Sequence, residues 1–297
     1  MLLQNISYMN KYELKKRFII GSANFTQKYG VDTIKVNSYE IKKILDTAKK
    51  NNIYELDTAE AYLKDKNIFK KIDKKFYFSS KISPNNKWTS LEFCQIKIEE
   101  HLNNLNNNMI QTLLLHDEKI LFTKNGKKIF RNLEDLKKKQ YFQKIGISIY
   151  STDYLNYIVS NYDLDVVQCP YNVLDQRILN TGWFDKLKSL NIETHVRSIF
   201  LQGLLVNKSI HKKKYFKQWQ KQISQWFVWL ENNKISPIDY CLSDLLNCDF
   251  DKIIIGINSF DGLKKILNFK KINIKKNFLN LKINDLTLID PRKWKII

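Results

Sequence analysis

The stretch KIGISIYSTDYLNYIVSNYDLDVVQ, residues 144–168, decides the fold. It opens with a short apolar run, Lys144–Ser148 (KIGIS), and closes with another, Asp165–Gln168 (DVVQ). Between them Ser151–Ser160 reads as a short helix with a serine at its cap. A strand, a helix and a strand in so short a span imply parallel strands joined by a crossover helix.

The same unit recurs in both directions along the chain. Toward the N-terminus, strands are predicted at Phe18–Gly21 (FIIG), Ile53–Asp57 (IYELD), Phe76–Ser80 (FYFSS) and Thr112–Leu115 (TLLL). Toward the C-terminus they are predicted at Glu193–Arg197 (ETHVR) and Asp251–Ile255 (DKIII). Helical spacing falls between them. Ile41, Ile44, Leu45 and Ala48 share a stripe in Ser38–Lys50, with Ser38 as the expected cap, and Leu91, Cys94, Ile98 and Leu102 share one in Thr89–Leu105. Further helices are expected near Lys127–Lys139, Asp175–Leu190, Pro237–Leu246 and Phe260–Leu267. Eight strands, each followed by a helical segment, match an α/β chain folded as a (β/α)8 TIM barrel. A doubly wound open sheet would usually carry a GxGxxG loop after an early strand, and none exists. No linker rich in Gly, Pro or Ser divides the chain, so one domain is expected over 1–297.

Composition narrows the function. Hydrophobic residues make up 43% of the 297, enough for a core. No apolar run reaches the roughly 18 residues that a membrane span needs. The start, MLLQNISYMNKYELKKR, lacks the basic and apolar regions of a signal peptide, so a cytoplasmic protein is expected. The net charge of +20 raises nucleic-acid binding. Yet only five of the 50 basic residues are Arg, and the lysines are spread along the whole chain. The joint excess of Lys and Asn resembles a coding bias, so no nucleic-acid partner is expected. The four cysteines form no CxxC pair and the four histidines no HExxH, so no metal site of known type is visible. Trp219, Trp226 and Trp229 fall at helical spacings of seven and three; they read as a core stripe, with a cap over the substrate pocket as the alternative.

In a (β/α)8 barrel the active site is built at the C-terminal strand ends. Here those ends carry Asp57, Lys81, His116, Ser148, Gln168, Arg197 and Gly256, strand after strand. Any one of them alone reads as a solvated loop residue, and Tyr62 alone as a packed loop tyrosine; the shared position changes the reading. A carboxylate, an ammonium, a phenol and an imidazole suit proton donation to a carbonyl oxygen. A phenol's pKa near 10 is high for that task, and an ammonium beside it would lower it. Asp57 would hold Lys81 charged and in place, and His116 would orient the oxygen. With no activated Ser or Cys in sight, a hydride from a nicotinamide suits the carbonyl carbon.

These residues sit in segments that resemble the aldo-keto reductase superfamily over nearly the full length. The segments are GSANFTQKYG (21–30), DTAEAY (57–62), SSKIS (79–83), LLLHD (113–117), KIGISIY (144–150), VVQCPYNVLDQR (166–177), VRSIFLQGLL (196–205), IIGINSFDGL (254–263) and LIDPRKW (288–294). RSIFLQGLL and LIDPRKW are similar to a bacterial branch associated with sugar and surface-polysaccharide metabolism. The resemblance implies a catalytic tetrad of Asp57, Tyr62, Lys81 and His116, with Tyr62 as general acid. It implies that Ser148 and Gln168 bond the nicotinamide carboxamide, that Arg197 packs beside the nicotinamide, and that Ser198 lies near the pyrophosphate. Gly256, Asn258 and Ser259 match the loop holding the adenosine-side phosphate. Departures stand beside these matches: Leu63 replaces a usual Gly, Ile149 a usual Asn, and Gly262 a Gln that commonly contacts adenine. Lys264 or Lys265 would then supply charge for a 2′-phosphate, which makes NADP(H) the expected cofactor and NAD(H) the alternative.

The expected activity is reduction of an aldehyde or ketone, a sugar carbonyl among the candidates, on a small-molecule substrate. Two other readings are a regulatory barrel that binds cofactor without turnover and a redox-neutral sugar-modifying enzyme. The oligomeric state is open.

Overall fold

The computed structural model of the chain describes residues 10–31, 35–63, 65–274 and 285–294; the expected domain span, 1–297, reaches beyond them at both ends. Eight parallel strands close into a barrel: β1 (Phe18–Gly21), β2 (Glu55–Asp57), β3 (Tyr77–Ile82), β4 (Ile110–Leu115), β5 (Phe142–Ser148), β6 (Val166–Pro170), β7 (Glu193–Arg197) and β8 (Lys252–Gly256). β1 pairs with both β2 and β8, with Gly21 in register with Asp57 and Gly256, and so closes the ring. All eight expected strands are present, shifted by up to two residues at some of their ends.

Helices cover the outside because their apolar stripes need a partner. The helix Ser38–Lys50 buries Ile41, Ile44, Leu45 and Ala48, and each of the three larger side chains contributes about 1.5–3 kcal/mol. Its cap is Asn37, not Ser38. Asn37 has extended backbone, and its side chain accepts the Glu40 N–H at 2.9 Å. The helix expected at Ser151–Ser160 begins only at Leu155 and has no side-chain cap. Ser151 instead accepts the Asp153 N–H at 3.3 Å in a turn. The stretch expected as a helix from Asp175 to Leu190 is two helices, Arg177–Asn180 and Trp183–Ser189, separated at Gly182. Gly182 stands at φ 74°, a left-handed conformation that disfavours any side chain.

Trp219 and Trp226 are buried and Trp229 partly so, in a second hydrophobic cluster with Phe216, Leu204 and Leu288 beside the barrel core. None of the three borders the central cavity, which favours the core reading of that stripe over the pocket cap. Among the described residues no helix is long and apolar enough to cross a membrane.

The period of two in a strand sets the barrel's interior in layers. Glu55 and Asp57 share one face of β2, and Ser79 and Lys81 one face of β3. In the lower layer Glu55 accepts a hydrogen bond from Ser79 Oγ at 2.5 Å and pairs with Lys252 at 3.1 Å; Glu193 pairs with Lys144 at 2.5 Å. The upper layer carries Asp57, Lys81, Ser148, Gln168 and Arg197, two residues on from Glu55 and Ser79 and four on from Lys144 and Glu193. Gly146 lies between the layers on β5. A Cβ there would come within 2.1 Å of the Val166 carbonyl oxygen, so only glycine lets β5 and β6 approach.

Candidate active site

A cavity of about 230 Å³ opens at the C-terminal end of the barrel, bordered by Tyr62, Lys81, His116, Ser148, Arg197 and Gly256 among others. Its floor is an ion pair. Lys81 Nζ donates to Asp57 Oδ1 and Oδ2 at 2.5 and 2.6 Å and to the Thr58 carbonyl at 3.2 Å. Three ammonium protons thus meet three acceptors. Both side chains are buried, at 4% and 8% exposure for Lys81 and Asp57, which makes each dependent on the other for its charge. Burial pulls the Lys81 pKa down, Asp57 opposes that fall, and Arg197 adds to it.

Tyr62 reaches the cavity from the short 3₁₀ turn Glu60–Tyr62 after β2. Its carbonyl accepts the hydroxyl of Thr26, which ties that turn to the segment after β1. Leu63 follows at φ −80° and is buried in the core. The departure from glycine is thus absorbed without backbone strain, and its side chain gains apolar contact.

The phenol is not tuned as the sequence suggested. Lys81 makes no hydrogen bond to it, since the ammonium is fully engaged by Asp57 and Thr58. Burial pushes the Tyr62 pKa well above its ordinary value, Tyr29 and Asp57 add to the rise, and Arg197 opposes it. Tyr62 is therefore a neutral phenol that keeps its proton at neutral pH. His116 directly follows β4, with its N–H bonded to the Ile82 carbonyl at 2.8 Å. Its ring stands edge-on to Tyr62, centroids 6.2 Å apart at 88°. Burial first, then Lys81 and Arg197, pull its pKa down to about 4, so it too is neutral at pH 7.

The remaining expected residues divide. Ser148, Arg197, Ser198, Gly256 and Asn258 border the cavity. Gln168 and Ser259 do not. Gln168 is fully buried beneath it, donating to Asp57 Oδ2 at 2.9 Å, and Ser148 Oγ lies 3.4 Å from Gln168 Oε1. Ser259 caps the helix Phe260–Leu267, its Oγ accepting the Gly262 N–H at 3.0 Å. The first N–H of that helix, on Phe260, is held by the Glu40 carboxylate at 2.8 Å. Lys264 is exposed and paired with Asp261 at 3.1 Å.

Among the cavity residues that escaped the sequence reading are Tyr29, Tyr150 and Gln202. Gln202 Nε2 donates to the Tyr29 hydroxyl at 3.0 Å, and the Tyr29 ring meets Tyr62 edge-on at 6.0 Å. All three lie inside the quoted segments, but beyond the strand ends themselves. The loop after β7 is also unusual: Ser198, Leu201 and Gln202 have φ of 60°, 45° and 55°. Such backbone costs energy and concentrates at functional sites.

An elongated dinucleotide suits this space. The cavity runs without interruption from Tyr62 and His116 to Asn258 and Gly262. A Cβ built on Gly256 would meet nothing within 4 Å, so the glycine leaves open room along the wall. Among the described residues no group of three or more His, Cys, Asp or Glu could hold a metal ion.

Similarity to other proteins agrees with this geometry. Solved structures with the same fold include an aldo-keto reductase from Bacillus halodurans in its holo form (TM-score 0.68, 16% identity, 86% of this chain and 88% of that one). They also include a glycerol dehydrogenase from Gluconobacter oxydans (TM-score 0.63, 15% identity, 86% and 88%) and an aldose reductase from Schistosoma japonicum (TM-score 0.60, 14% identity, 88% and 85%). No curated protein matches the chain in sequence. The aldo/keto reductase family model matches residues 17–281, from the residue before β1 to beyond β8 and its helix. With that match over a closed eight-stranded barrel whose mouth gathers Asp57, Tyr62, Lys81 and His116, the chain belongs to the aldo/keto reductase family.

Proposed function

We propose that this protein reduces an aldehyde or ketone to an alcohol, using a nicotinamide dinucleotide, with Tyr62 as the acid. Membership of the family supports a carbonyl oxidoreductase in general. The observation that carries the finer reading is a neutral phenol and a neutral imidazole, 6.2 Å apart, above one buried ion pair.

When bound, the reduced nicotinamide supplies the hydride that reaches the carbonyl carbon. His116, neutral at pH 7, donates a hydrogen bond to the carbonyl oxygen and orients it. Tyr62 gives its proton to the same oxygen as negative charge develops there. Its raised pKa keeps the proton on the phenol until that moment. Lys81 and Asp57, paired beneath the site, fix its field. In the oxidative direction Tyr62 takes the proton back. Ser148, Ser198, Gly256 and Asn258 would hold the dinucleotide along the cavity, and Arg197 would lie beside its nicotinamide end. Gln168 would act from beneath through Ser148, and Ser259 by shaping the loop after β8.

The cofactor's 2′ position is finer still. A phosphate at the start of the helix Phe260–Leu267 would have to displace Glu40, and Lys264 is already paired with Asp261, which leaves exposed Lys265 as the lysine for that phosphate. The Glu40 carboxylate weighs toward NAD(H), where the sequence had weighed toward NADP(H). A hydroxylated substrate such as a sugar suits the polar wall formed by Tyr29 and Gln202, and one similar fold is a glycerol dehydrogenase. Four cysteines without disulfides suit a reducing cytoplasm.

The test is oxidation of NADH and NADPH with a panel of small aldehydes, ketones and sugars, comparing Tyr62→Phe. Loss of the acid should lower kcat by about 10²–10⁴ while cofactor binding, read by fluorescence, persists. Equal rates in both proteins would remove Tyr62 from the role. Cofactor binding with no turnover of any carbonyl would favour the regulatory barrel, and turnover without net cofactor consumption the redox-neutral enzyme.

A further inference from the structure

Charge balance inside the cavity points beyond a generic carbonyl. Its charged side chains are Asp57, Lys81 and Arg197, with His116 neutral at pH 7. Asp57 and Lys81 cancel each other at 2.5 Å. Arg197 is left over. Among the described residues it has no carboxylate partner. Its guanidinium makes one hydrogen bond, to the Ile149 carbonyl at 2.9 Å, and stacks on the Tyr150 ring at 4.0 Å.

The other arginines make the contrast. Arg17 pairs with Asp249 at 2.8 Å, and Arg177 and Arg292 pair with Asp175 and Asp290, each at 2.7 Å. Arg131 lies in open solvent. Arg197 alone among them is half-buried, faces a cavity and lacks a counter-charge.

A half-buried cation without a partner is costly unless something brings the anion. One of the five guanidinium N–H groups is spent on Ile149, so a bidentate contact remains available to a carboxylate or phosphate. The Ile149 carbonyl and the Tyr150 ring fix the group in advance, which lowers the entropy cost of that contact. Tyr150 is itself held by a second stacked guanidinium, Arg292 at 3.5 Å, whose own charge Asp290 offsets. Arg197 also bears on the reacting groups, since it acts electrostatically on Tyr62, Lys81 and His116.

We infer that the carbonyl substrate is an anion, carrying a carboxylate or phosphate that Arg197 pairs with while the carbonyl lies against Tyr62 and His116. The inference rests on the proposed carbonyl-reductase reading and adds the substrate's charge to it. Arg197 is then a specificity-determining residue, selecting acidic over neutral carbonyl compounds of the same size.

Matched substrates test it: 4-oxobutanoate against butanal for a carboxylate, and glyceraldehyde 3-phosphate against glyceraldehyde for a phosphate. In the wild type, kcat/KM for the anionic member of at least one pair should exceed that of its neutral partner by about 30-fold or more, mainly through KM. Arg197→Met should bring that ratio near one, and Arg197→Lys should restore part of it, because lysine keeps the charge without the fork. The pair that shows the effect identifies the anionic group. The inference is overturned if both members of each pair react alike in the wild type. It is also overturned if Arg197→Met lowers both members equally, or if it weakens NADH binding and leaves the ratio intact; that last result would assign Arg197 to the cofactor's pyrophosphate. Should no carbonyl react at all, the reductase reading fails separately. Calorimetry with succinate and inorganic phosphate on the NADH-loaded protein then decides, binding that Arg197→Met abolishes supporting an anion subsite and absence of binding refuting it.

Discussion

Asp57→Asn tests the buried ion pair that underlies the site. In the wild type Lys81 is 4% exposed, and its three acceptors are the two Asp57 oxygens and the Thr58 carbonyl. Removing the Asp57 charge leaves an ammonium in a place where burial and Arg197 already push its pKa down. Breaking a buried pair from one side costs about 3–5 kcal/mol. The cost depends on pH in a definite direction. A lysine whose folded pKa lies below its unfolded value binds fewer protons folded than unfolded, so stability rises with pH through that window. The deficit of Asp57→Asn should therefore shrink as pH climbs toward the ordinary lysine value, as Lys81 sheds its proton. The double variant Asp57→Asn/Lys81→Met removes both charges and should cost less than the two single changes added together, a coupling of about 2–4 kcal/mol. Urea denaturation followed by tryptophan fluorescence at several pH values reads all of this from the midpoint. Single variants within about 1 kcal/mol of the wild type, or strictly additive ones, would show that the pair is not the buried, mutually dependent unit described above.

Three further outcomes follow from other groups. His116 is held down to about 4 by burial and its cationic neighbours, so kcat should stay level down to about pH 5 and fall below it; an acid limb near 6.5 would contradict a desolvated imidazole. Asp244 is buried, bonded to the Tyr171 hydroxyl at 2.8 Å, and raised to about 6 from 3.8. Its folded pKa exceeds the unfolded one, so it costs stability as pH rises from about 4 to 6, at most about 3 kcal/mol; Asp244→Asn should raise Tm at pH 8 but not at pH 4, and equal Tm values at pH 8 would refute it. For the cofactor, fluorescence titration should give a lower Kd for NADH than for NADPH, with Glu40→Ala narrowing the gap, because the Glu40 carboxylate holds the Phe260 N–H; tighter NADPH binding in the wild type would defeat that reading.

Much of this was legible before any coordinates. The strands announced themselves as short apolar runs, and Phe18–Gly21 and Glu193–Arg197 fall where the sequence put them. Side chains alternate along a strand, so naming the last residue of each apolar run also named a layer of the barrel mouth. That is why Asp57, Lys81, Ser148 and Arg197 were found one by one and then met in one cavity. Helix ends were harder. Asn37 rather than Ser38 caps its helix, and Gly182 splits another, because those outcomes turn on single backbone angles.

The sequence by itself determined the eightfold alternation, the order of the polar strand ends and the inventory of reactive groups. All three follow from local periodicity, which adjacent residues carry. Only the tertiary structure decided how those groups share their protons and charges. It gave Lys81 wholly to Asp57 and Thr58, left Tyr62 a neutral phenol, sank Gln168 beneath the cavity and left Arg197 unpaired within it. These are matters of distance and burial between residues far apart in the chain, such as Asp57 and Gln168. A linear pattern supplies the partners, but closure of the barrel sets which of them touch and how much water lies between.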